Sequence, residues 1–135
     1  MAANNTPKWW LYQANPSWSA DFDAAALGDQ DGDGIPTWQE YVSGTDPNDP
    51  ASVFSLNISM SNGQSVVSFP TATTSAQYQA QRYYALESCT NLLAPLVWTG
   101  VEGFTNILAS GQTIFFTNIA ATSPRFFRGR VWLGP

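Results

Sequence analysis

Twelve consecutive residues constrain this chain more than any other segment: Asp29-Gln30-Asp31-Gly32-Asp33-Gly34-Ile35-Pro36-Thr37-Trp38-Gln39-Glu40. Counting from Asp29, carboxylates fall at positions 1, 3 and 5, a glycine at 6 and a glutamate at 12. Acids this close together repel one another and disfavour their own ionisation. A chain that keeps them is expected to wrap them around a cation. Gly34 stands where the backbone must turn sharply, a conformation that a Cβ would strain.

The spacing is the complete EF-hand calcium pattern. Calcium takes six to eight oxygens. Asp29, Asp31 and Asp33 supply one side of such a shell, with the Ile35 carbonyl and Thr37, the latter directly or through a water. A bidentate Glu40, held by the helix that follows, closes the other side. Position 8 is Pro36, which has no N–H to offer a partner loop, so the loop is expected to be solitary, and the flanking helices are too short for a regulatory pair, so its ion is expected to be structural rather than a switch. Extracellular calcium modules bind at roughly 10⁻⁴–10⁻³ M, and that range is expected here. The donors of Thr45-Asp46-Pro47-Asn48-Asp49-Pro50 read mainly as Asx-turns, with Asp46 able to fold back in support of the ion.

Charge is segregated around this loop. Residues 1–50 hold eight acids against Lys8 alone, a local charge of −7, whereas residues 51–135 hold Glu87 and Glu102 against four arginines, +2. An acidic chain without a basic run is a poor partner for nucleic acid. Histidine is absent and Cys89 is the single cysteine, which excludes His-based nucleophilic triads, His-ligated zinc and internal disulfides. No apolar run approaches the roughly 18 residues of a membrane span, and residues 1–7 do not read as a signal peptide.

The fold class expected is mainly β: a small antiparallel β-sandwich over residues 51–135, preceded by a short-helix segment, 1–50, that carries the calcium loop, the two packed as one module. In the first segment, Thr6-Pro7 starts a helix through Gln13, Ser19 or Asp21 starts one through Leu27, and a third runs from Pro36 to Ser43 before Gly44. In the second, strands are expected at Val53–Met60, Ser65–Phe69, Ala80–Ser88, Leu96–Val101, Thr113–Asn118 and Arg125–Leu133. Asn62-Gly63 makes the first pair a hairpin, and Thr71–Gln77 reads as a polar linker.

The run Trp38 to Pro50, with its Gly44-Thr45-Asp46-Pro47 turn following Asp-Gln-Asp-Gly-Asp-Gly, resembles the thrombospondin type 3-like calcium repeats of exported bacterial proteins. Tyr84-Ala85-Leu86-Glu87-Ser88, Asn91-Leu92-Leu93, Trp98 and Arg125-Phe126-Phe127-Arg128 resemble the β-sandwich that commonly follows such repeats. The resemblance implies ligand roles for Asp29, Asp31, Asp33, Ile35 and Glu40. It also implies a secreted or cell-surface location and attachment to, or excision from, a larger secreted protein.

Catalysis is not expected. Asp21 and Asp23 sit at a helix start, and Glu87 and Glu102, the one pair that could serve a glycosidase, carry no sign of a raised pKa. Six tryptophans and five tyrosines instead suggest sugar stacking. Trp38, Trp98 and one of Trp9 and Trp10 are expected in the core. If Tyr84, Leu86, Phe127 and Val131 face inward, then Tyr83, Ala85, Glu87, Phe126, Arg128, Arg130 and Trp132 face out. Tyr83, Arg128, Arg130 and Trp132, with Trp18 in its loop, are the candidates for binding a polysaccharide. The competing expectation is that Arg128 or Arg130 pairs with Glu87 across the strands. Together these features suggest a non-catalytic carbohydrate-binding accessory module of a polysaccharide-degrading enzyme, or alternatively a spacer or attachment module whose only ligand is calcium.

Overall fold

The structure, a computed structural model, describes residues 1–73, 81–118 and 125–135. The expected linker Thr71–Gln77 beyond Thr73, and the expected strand start at Ala80, lie outside the described residues. Two compact units divide the chain, Met1–Phe54 and Ser55–Pro135.

The first unit holds three short helices, α1 (Lys8–Ala14), α2 (Phe22–Leu27) and α3 (Thr37–Ser43), with 3₁₀ turns at Ala3–Asn5 and Pro16–Ala20. Helix α1 begins one residue later than expected: Pro7 is its cap, and the Thr6 hydroxyl donates backwards to the Ala3 carbonyl at 2.8 Å. Asp21 caps α2 by accepting from the N–H groups of Asp23 and Ala24. Gly44, at φ 80°, ends α3 in the left-handed region. Helices of six or seven residues have little stability of their own. They are held by a small core of Trp10, Leu11, Ala25, Ala26 and Tyr41, in which the Trp10 and Tyr41 rings lie 5.2 Å apart. Trp9 is exposed, so one of the adjacent tryptophans is buried as expected.

The second unit is mainly β, with antiparallel strands in two sheets. One contains β1 (Asn57–Ser61), β2 (Gln64–Pro70) and β6 (Thr113–Asn118) in the order β1-β2-β6. The other is centred on β3 (Arg82–Cys89), which pairs on one flank with β4 (Thr99–Gly100) and β5 (Ile107–Leu108) and also pairs with β7 (Phe126–Leu133). The β1–β2 hairpin turns on Asn62 and Gly63, both at positive φ, as Asn-Gly predicts. Aromatic rings join the two sheets: Phe69 to Tyr84 at 6.2 Å, Phe116 to Phe104 at 5.3 Å and Phe116 to Phe127 at 5.8 Å. Arg125, just before β7, ties the same layers by donating to Asn118 on β6 and Ser88 on β3.

Two expected strands are shorter than predicted. Residues 49–53 are occupied by tight turns, so β1 starts at Asn57 rather than Val53. The expected strand Leu96–Val101 reduces to Thr99–Gly100, because Leu96 and Val97 are exposed and Val101 turns back through Phe104. Strand β5, only two residues long, gave no periodic signal.

On β7 exposure alternates from Phe126 to Val131 as expected, and Tyr84 pairs with Val131, Leu86 with Gly129, Tyr83 with Trp132 and Glu87 with Arg128. On β3, however, Ala85 and Glu87, both expected to face out, are buried, because a strand paired on both flanks leaves little of either face open. Leu86 is fully buried and Met60 is 68% exposed. We expect Leu86→Ala to cost about 3 kcal/mol in denaturant unfolding and Met60→Ala less than about 0.5 kcal/mol.

Candidate metal centre and the outward aromatic face

The loop between α2 and α3 is built by its own carboxylates. Asp29 accepts from the N–H of Gly32 at 2.8 Å and of Gly34 at 2.9 Å, Asp31 from Asp33 at 3.2 Å, and Asp33 from Ile35 at 2.7 Å. Gly32 and Gly34 take φ of 82° and 93°, the left-handed turns that let the backbone circle. The Thr37 N–H closes the loop by donating to the Gly28 carbonyl at 2.8 Å.

One oxygen from each of Asp29, Asp31 and Asp33 lies within 4.8 Å of the others, so the three could hold a metal ion. Asp29 is exposed and the other two are half-buried. Helix α3 brings up two more of the expected residues, Thr37 and Glu40, both fully buried. Among the described residues, five buried side-chain oxygens have no hydrogen-bond partner: Oδ2 of Asp31, Oδ2 of Asp33, Oγ1 of Thr37 and both carboxylate oxygens of Glu40. Buried polar atoms are ordinarily paired, and a buried carboxylate without a partner is costly. Burial first, then the charges of Asp31, Asp33, Asp29 and Asp46, push the Glu40 carboxyl up to about 8. All the orphaned atoms are hard oxygens from the residues that the spacing singled out, a donor set that fits a hard cation. Ile35 is half-buried, with its N–H on Asp33. Asp46 is exposed and accepts from the Asn48 N–H at 3.0 Å, and its charge reaches Glu40.

In the second unit, Tyr83, Arg128, Arg130 and Trp132 come together on the outward face of β3 and β7. Tyr83 and Trp132 stack with centroids 5.9 Å apart at 19°. The Arg130 guanidinium lies 5.8 Å from the Trp132 ring. Both arginines grip one acid: Arg128 Nε donates to Glu87 Oε2 and Arg130 Nη1 to Glu87 Oε1. Burial acts to raise the Glu87 carboxyl, but the hydrogen bonds and charges of the two arginines outweigh it and hold it below its ordinary value. Glu87 is buried although it was expected to face outward, and both of its carboxylate oxygens are met by arginines.

Trp98, expected in the core, is instead half-buried with the Arg128 guanidinium 4.7 Å above its ring. Its place on an apolar run hid this, since a ring that seats an arginine stem is apolar too. Trp38 is likewise half-buried. Trp18 is half-buried in the Pro16–Ala20 turn of the first unit, on a different body from the other four candidates.

Glu87→Gln should remove charge from both arginine contacts. We expect a loss of about 1 kcal/mol, discounted because both arginines are half exposed to water. A lowered carboxyl stabilises above its ordinary value of 4.5, and that contribution is lost as pH falls through the lower folded value. The stability gap between wild type and Glu87→Gln should therefore close in urea titrations as pH drops below about 4.

No family model matches this chain, and comparison with curated proteins and with solved structures gives no match either, so its function must be argued from these side chains.

Proposed function

We propose that this chain is a calcium-stabilised, non-catalytic accessory module of a secreted or cell-surface polysaccharide-degrading protein. In this reading Asp29, Asp31, Asp33, Thr37 and Glu40 hold one structural Ca²⁺ in an EF-hand-like, thrombospondin type 3-like loop, with Ile35 contributing its carbonyl and Asp46 its charge. The observation that carries it is the set of five buried, unpartnered oxygens on four residues of the dodecapeptide. A divalent ion removes the mutual repulsion that raises Glu40 and satisfies those oxygens in one step.

Glycan binding falls to the outward face of β3 and β7. Tyr83 and Trp132 are stacked and half-buried, leaving part of each ring open to a sugar, and Arg130, whose side chain is 59% exposed, stands beside them as a hydrogen-bond donor. The engagement of Arg128 and Arg130 by Glu87 favours a second reading, a spacer or attachment module that binds calcium alone.

Two measurements test these readings. Calcium should raise Tm by several degrees over the chelated protein, and Glu40→Gln should abolish that gain; an unchanged melt excludes a structural ion. The gain should also grow with pH. A carboxyl raised from 4.5 to about 8 stabilises the fold without the cation below about pH 4.5, and that contribution is lost as pH rises through 8. Calcium needs the deprotonated form, so its stabilisation runs the opposite way across the same window. On affinity gels carrying neutral or acidic polysaccharides, at least one glycan should retard the calcium-loaded protein and Trp132→Ala should relieve the retardation. Free migration on every gel supports the calcium-only reading.

A further inference from the structure

At the end of β3 nearest β4, an open surface cavity of about 390 Å³ lies between β4 and the start of β7, with Val101 buried at its wall and Thr90, Val97, Thr99, Glu102 and Arg125 exposed around it. It belongs neither to the metal loop nor to the Tyr83–Trp132 surface. Its volume lies within the range of small-ligand sites and accommodates a sugar of one or two rings.

The chemistry of its wall is specific. Arg125 donates to Asn118 Oδ1 at 3.0 Å and to Ser88 Oγ at 2.9 Å, and its guanidinium carbon lies 5.5 Å from the Phe127 ring and 6.0 Å from the Phe116 ring. These contacts fix the side chain. They use two N–H groups of a guanidinium that has five, so donors remain for a ligand. Among the described residues Arg125 forms no ion pair, and neither does Glu102 on the same cavity. The Thr90 and Thr99 hydroxyls make no hydrogen bond within the described residues, and Val97 and Val101 add apolar wall.

We propose that this cavity binds the carboxylate of an acidic sugar, a hexuronate residue, with Arg125 as the anion-binding group. A single fixed guanidinium matches a single carboxylate, which it can take in bidentate fashion. Glu102 repels further negative charge, which disfavours dianions such as phosphate, and serves instead as an acceptor for sugar hydroxyls. Thr90 and Thr99 complete the hydroxyl recognition, and the valines face the C–H side of the ring. The assignment uses none of the residues of the outward aromatic surface, so the two sites can fail independently.

The test titrates the calcium-loaded chain with D-glucuronate, D-galacturonate, D-glucose and glycine, following amide NMR shifts of Thr99 and Val101 and calorimetric heats. We expect saturable binding of at least one uronate, no binding of glucose, and a loss of about tenfold or more in Arg125→Gln. Because Arg125 also ties the two sheets, Thr99→Val serves as a second variant, with about threefold weakening expected and Tm unchanged. Trp132→Ala should leave uronate affinity intact. The proposal is overturned if neither uronate saturates, if glucose binds equally well, if folded Arg125→Gln or Thr99→Val retains full affinity, or if Trp132→Ala abolishes binding. Preferential binding of glycine that Glu102→Gln destroys would overturn it in favour of a zwitterion site.

Discussion

The first unit depends on a carboxylate that has nowhere to go. Glu40 is fully buried on a seven-residue helix, both of its oxygens lack a hydrogen-bond partner among the described residues, and the charges of Asp31, Asp33, Asp29 and Asp46 all act against its ionisation. Neither a helix this short nor a core this small can offset an isolated buried charge, which costs several kcal/mol. The local architecture nevertheless holds Glu40 within electrostatic reach of the aspartates: Pro36 starts α3, Thr37 latches onto Gly28, and Tyr41 of the same helix packs against Trp10. A bound cation would resolve the conflict by turning a costly buried group into a ligand.

Glu87 shows what a completed carboxylate looks like in the same chain. It too is largely shielded, yet two arginines meet its two oxygens and its pKa falls rather than rises. Opposite shifts on two shielded glutamates separate a finished ion pair from a site that fits a ligand. The pair also orders its surroundings, because each arginine is stacked on a ring, Arg128 on Trp98 and Arg130 on Trp132. One acid thereby organises the outward face of β3 and β7.

How much of this was legible in the sequence depended on the range of the interaction. The dodecapeptide was readable because its chemistry is local: carboxylate spacing, the turn at Gly34 and the placement of Glu40 all lie within one loop and the first turn of a helix. The hairpin at Asn62-Gly63 was readable for the same reason, and alternation matched exposure on β7 but not on β3, where Ala85 and Glu87 are buried. Alternation names a face but not a neighbour. The pairing of Glu87 with both arginines needs strand register, and the seat of Arg128 on Trp98 needs a loop folded against β7. Strands β4 and β5 exist through two register pairs each with β3, too few residues for any period to show. The apolar run at Leu96 and Val97 misled because hydrophobicity alone cannot distinguish a paired strand from an exposed loop.

The segregation of charge separates two ways of stabilising a small unit. Residues 55–135 enclose a ring-lined interior in which Phe69, Tyr84, Phe104, Phe116 and Phe127 join the sheets, and a few arginines serve as ties. Residues 1–54 bury mainly alanines, one leucine, one tryptophan and one tyrosine beneath helices of two turns or fewer. Such a unit is below the size at which apolar burial alone is usually sufficient, and metals are among the common supplements. Eight of the chain's ten acids stand there, and removing them would leave little to hold the loop and its helix together. The acidic character of the chain is therefore a structural property of its smaller unit: the carboxylates form the loop that positions Glu40, and together they fit the cation that would make that loop stable.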